Sequence, residues 1–114
     1  MVFTVLASPA LGAELDDHYQ LEGANPGGTG KYRGSVQIRE TGETYQVAWT
    51  IGNQQYAGTG VLQGDTFSIV FQPRKGSAGI AVYKLKGDGT LEGSWANLAG
   101  TKLGAEIWRP DQGL

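Results

Sequence analysis

The sequence contains no cysteine, and that absence removes two architectures at once. A disulfide-stapled fold is excluded, and so is a zinc site built on thiolates. Histidine is nearly as scarce: His18 is the only one, so a multi-histidine metal centre within one chain is excluded too. No apolar run approaches the roughly 20 residues that a membrane-spanning helix needs, so no such span is expected. Charge of one sign is nowhere concentrated. The 9 Lys and Arg and 11 Asp and Glu are scattered over 114 residues, giving a net charge of −2. Nucleic-acid grooves and polybasic membrane patches need clustered positive charge, and no nucleic-acid partner is expected. No cofactor signature is present, so no cofactor is expected.

Glycine is the residue in excess, at 19 of 114, more than twice the usual share of about 7%. The glycines follow no collagen period. They punctuate short alternating runs, as turns do in an all-β chain. With 39% hydrophobic residues the chain can bury one core, and residues 14–114 are assigned to a single domain. Residues 1–13 read differently. An uncharged apolar stretch over residues 2–7 leads into Ser8-Pro9-Ala10 and Ala10-Leu11-Gly12, each a small-x-small cleavage pattern. This segment reads as the remnant of a secretory signal peptide, with an N-terminal arm as the alternative. On the first reading the protein is exported, to the periplasm or beyond.

From residue 18 the alternation barely stops. Strands are expected over 18–22, 31–39, 43–51, 55–62, 66–71, 78–86, 90–97 and 102–109. Tyr32, Val36 and Ile38 share a face, as do Tyr45, Val47, Trp49 and Ile51, then Tyr56 with Leu62, Phe67 with Ile69 and Phe71, and Leu91 with Trp95. Gly52-Asn53 is a two-residue hairpin signal, and Pro110 ends the last strand. Two strands leave their inner face open. In the sixth, Ile80 and Val82 oppose Tyr83 and Leu85. In the eighth, Leu103, Ala105 and Ile107 oppose Glu106 and Trp108.

Eight strands joined by short connections favour neighbours in sequence order, which is an antiparallel up-and-down meander. Closure into a β-barrel would remove both exposed edges. A β-sandwich is the alternative, but its crossovers need longer connections than this chain has.

Catalytic chemistry is poorly supported. His18 has no nucleophile motif beside it. The Gly-rich stretch over residues 25–30 lacks the Lys-Ser/Thr ending of a phosphate loop and precedes a strand, not a helix. Asp16, Asp17, Glu40, Glu43, Asp65 and Asp88 fall in turns or the arm, and Glu92 points outward. Glu106 depends on the eighth strand. An inward Leu103–Ile107 face, the reading favoured here, leaves it in solvent. An inward Trp108 would bury it, and it would then need a partner and become the strongest candidate for a functional polar group. No enzyme activity is expected.

Aromatic residues are the remaining signal. Tyr32, Tyr45, Trp49, Tyr56 and Trp95 fall on inner faces, and an eight-stranded barrel is just wide enough for its own side chains or one small ligand. Tyr and Trp combine flat apolar area with a hydrogen-bonding tip. With Glu106 and Trp108 they form the candidate ligand-binding set, though a plain aromatic core would use the same residues.

The segments Asn25-Pro26-Gly27-Gly28, Tyr32-Arg33-Gly34-Ser35-Val36, Thr41-Gly42-Glu43-Thr44-Tyr45-Gln46-Val47-Ala48-Trp49, Tyr56-Ala57-Gly58-Thr59-Gly60 and Gly104-Ala105-Glu106-Ile107-Trp108 form a distinctive series. The chain resembles, over most of the domain, a family of small exported alphaproteobacterial proteins that carry the label fibronectin-binding protein. The strand pattern also looks like the calycin superfamily, the avidin-like and lipocalin-like meander barrels. It departs from them in lacking a polar set for biotin and the N-terminal helix and GxW signature of lipocalins. The inner-face aromatics, with the likeness to meander barrels adding by analogy of fold, lead to the expected function: a non-enzymatic exported barrel holding a small, partly apolar ligand at one open end. Its alternative is a protein-interaction module, matrix-binding or inhibitory, that uses its loops or outer surface.

Overall fold

Side chains that swap sides at every residue produce eight strands, and the computed structural model describes them within residues 14–111. The signal-or-arm reading of residues 1–13 lies outside those residues. The strands are β1 (His18–Ala24), β2 (Lys31–Thr41), β3 (Thr44–Ile51), β4 (Gln54–Gln63), β5 (Thr66–Pro73), β6 (Gly79–Leu85), β7 (Leu91–Asn97) and β8 (Gly104–Pro110). Each pairs antiparallel with the next, and β1 pairs with β8 to close the barrel. The meander is therefore complete, and the sandwich alternative is set aside.

Three hairpins turn on two residues each: Gly42-Glu43, Gly52-Asn53 and Gly64-Asp65. In all three the glycine comes first and has positive φ, the arrangement of a type II′ turn, whose twist matches that of the flanking strands.

Both open faces are decided by what each side offers for burial. In β6, Ala81, Tyr83 and Leu85 point inward, while Ile80 and Val82 face solvent at 66% and 47% exposure. In β8 the expected solvation of Glu106 is overturned. Trp108 is fully buried and carries Glu106 inside with it, at 6% exposure, while Leu103 precedes the strand and is 65% exposed. The indole removes far more apolar area from water than a leucine would, and the carboxylate finds donors inside.

The connections divide between two ends. Residues 25–30, 52–53, 74–78 and 98–103 lie at one end. The turns at 42–43, 64–65 and 86–90, together with the flanks of β1 and β8, lie at the other. There the Asp111 amide donates to the His18 carbonyl, and the Asp16 amide donates to the Tyr19 hydroxyl. The core between the ends is built on Tyr19, Leu21, Val36, Val47, Phe67, Leu91 and Trp108.

Candidate functional site

One cross-strand row, followed through five neighbouring strands, reads Tyr32, Gly23, Glu106, Gly93, Tyr83. The two glycines shape it. A Cβ on Gly23 would fall on the Tyr32 ring, and one on Gly93 would meet the Tyr83 ring and the Val82 carbonyl. Bare backbone at both positions lets each tyrosine lie across the adjacent strand and reach a carboxylate two strands away.

Glu106 receives four hydrogen bonds. Tyr32 donates to Oε2 at 2.6 Å. Tyr83 and Trp108 each donate to Oε1 at 2.8 Å, and the Trp49 indole donates to the same oxygen at 3.3 Å. Indole N–H groups can only donate, so Oε1 is an acceptor. A carboxylate offers about two lone-pair sites on each oxygen, so Oε1 is crowded by three donors while Oε2, with Tyr32 alone, keeps one site open. The ion pairs among the described residues, Lys84–Asp65, Lys86–Glu92 and Arg109–Glu22, are all exposed and none involves Glu106. The buried carboxylate is thus held by neutral donors alone.

That arrangement acts back on the phenols. Burial, and then the Glu106 charge, push the Tyr83 and Tyr32 hydroxyls well above the ordinary tyrosine range. Both stay protonated as donors at any physiological pH. The Trp95 indole N–H lies near enough to Tyr32 to offset part of this shift, yet it makes no hydrogen bond of acceptable geometry.

Over this node a cavity of about 480 Å³ opens at the end that carries residues 25–30, within the size range of small-molecule pockets. Six rings line it: Tyr32, Trp49, Tyr56, Phe71, Tyr83 and Trp95. Phe71 meets Trp49, Tyr56 and Trp95 at centroid distances of 5.8, 6.3 and 6.1 Å, all steeply inclined. Ile51 completes the apolar wall, and Asn25, Pro26 and Asn97 belong to the lining as well.

Of the residues singled out from the sequence, Tyr32, Trp49, Tyr56, Trp95 and Glu106 come together around this cavity. Tyr45 does not. It sits towards the opposite end, edge-on to Phe67 at 5.6 Å. Trp108 lies outside the lining, packed on Tyr83 at 4.3 Å and bonded to the carboxylate. Sequence reasoning missed Tyr83, whose strand is apolar on both faces, and with it Ile51, Phe71 and the two asparagines. Tyr83 shares its row with Glu106 and Tyr32, but that register emerges only once the barrel closes.

Among the described residues no cluster of three or more His, Asp or Glu stands ready to hold a metal ion, and no helix is long and apolar enough to cross a membrane. No protein-family model matches the chain, and no curated protein matches it. Chemically, the site is suited to holding a molecule. Its one carboxylate is tied down by four donors, which leaves it poorly placed to shuttle a proton.

Proposed function

We propose that the chain is an exported, non-enzymatic binding barrel that holds a small, partly apolar ligand at the open end. One observation carries this reading: the aromatic cavity is built over a hydrogen-bonded carboxylate instead of being filled by its own side chains. Native mass spectrometry of the purified protein tests it, together with a ligand screen read by tryptophan quenching. A co-purifying small molecule, or saturable quenching weakened by Tyr56→Ala, is the expected result. Silence from both over a broad panel removes the proposal.

A second reading, a protein-interaction module, has its own observation in support. The outer face of β4, β5 and β6 carries Val61, Val70, Ile80 and Val82, each 46–66% exposed, with Leu103 beside them. A contiguous apolar surface of this kind often marks a protein contact. Capture on immobilised fibronectin by the wild type, lost in Ile80→Lys, would favour it. Failure of the wild type to bind counts against it.

A further inference from the structure

We infer that the ligand of this cavity carries a quaternary ammonium group. This rests on the small-ligand reading above and narrows it to one chemical class.

Two features of the site call for a cation. Glu106 is 6% exposed and lines the cavity, yet its four partners are all neutral. In a poorly polarisable interior its negative potential reaches into the cavity. It repels anions and leaves a charge that a ligand can balance. The six rings add to this. Aromatic faces are electronegative and attract cations within about 6 Å of the ring centroid. Here Trp49, Tyr56 and Trp95 stand at 62°, 80° and 76° to Phe71, and all four line the cavity.

A third feature selects the kind of cation. A primary ammonium brings three N–H donors that need acceptors. On the carboxylate, Trp49, Tyr83 and Trp108 crowd Oε1 and Tyr32 takes half of Oε2, so a single lone-pair site remains for three N–H donors, and the Trp95 indole competes as one more donor. Beside the carboxylate, donors therefore outnumber the acceptor sites that remain. A cation whose nitrogen carries only alkyl groups makes no such demand and sheds its water more cheaply. The amides of Asn25 and Asn97 remain for a polar tail.

Isothermal titration calorimetry with three probes tests this: choline, ethanolamine, and the uncharged isostere of choline in which carbon replaces nitrogen. Choline is expected to bind at least about tenfold tighter than either of the others. Glu106→Gln keeps the shape and the Oε1 acceptor, and is expected to abolish the preference for choline over the isostere. Tyr56→Leu leaves the floor intact, and should weaken choline severalfold while sparing the isostere. Equal or tighter binding of ethanolamine or the isostere overturns the inference, as does unchanged choline affinity in both variants. If none of the three binds while another ligand class does, the inference falls and the small-ligand reading stands. If no ligand binds at all, both fall.

Discussion

Gly23 and Gly93 flank Glu106 in a single cross-strand row, and each has a tyrosine ring lying where its own side chain would be. Their surroundings differ in stiffness. An added Cβ at Gly23 meets the far end of Tyr32, whereas one at Gly93 meets the Val82 carbonyl and the Tyr83 Cα as well as the ring.

That difference orders two substitutions. Overpacking costs about 1–3 kcal/mol, so Gly93→Ala is expected at or above the top of that range, because backbone must move. Gly23→Ala is expected nearer the bottom, because Tyr32 can swing aside and give up its bond to Glu106. Urea denaturation of both variants gives the order, and the reverse order would mean that the rings do not constrain these positions.

Glu106 itself is the most sensitive polar position. Glu106→Leu strands two indoles and two phenols without an acceptor, and each orphaned donor costs about 1–3 kcal/mol. A total loss of about 3 kcal/mol or more is expected, with Glu106→Gln much milder. A denaturation midpoint for Glu106→Leu close to the wild type would show that the four bonds add little.

Alkaline pH should unfold the barrel. Burial raises Tyr32 and Tyr83 above their ordinary value of 10.0 and pushes Tyr19 up to about 12. The unfolded chain therefore releases these protons first, and the folded chain holds them. Stability from these groups is intact below about pH 10 and declines as pH climbs through and beyond that value. A urea midpoint that is level up to that point and then falls, with tyrosinate absorbance rising alongside unfolding, is the expected result. Ionisation of Tyr19, Tyr32 and Tyr83 while the fold persists, read in the variant Tyr45→Phe/Tyr56→Phe, would contradict it.

Tyr45 supplies a control. It lies at the end away from the cavity, in contact with Phe67, so Tyr45→Leu should cost about 0.5–1.5 kcal/mol of aromatic packing. Affinity for any cavity ligand should stay within about twofold. A larger change would mean that the two ends are coupled.

The fold was legible because turn chemistry and alternation agree almost everywhere. Gly-X pairs mark three of the hairpins, and β2 and β3 sort their side chains cleanly. The site was legible only in part. Tyr32, Trp49, Tyr56 and Trp95 advertise themselves by lying on apolar faces, but parity cannot say which end of a barrel a residue occupies, and so Tyr45 was grouped with them. The inward position of Glu106 is hidden in the sequence for a different reason. Alternation weighs Leu103 and Ile107 against one carboxylate, and it cannot see four donors arriving from β2, β3, β6 and β8 itself.

The seam between β1 and β8 gives this arrangement a timing. Glu106 sits on β8, and three of its four donors wait on segments laid down earlier, so the polar floor assembles only when that strand docks beside β1. Any chain stalled before that step, or clipped ahead of it, presents stranded phenols and indoles in place of a receptacle. The bonded carboxylate thus doubles as a certificate that the ring is whole.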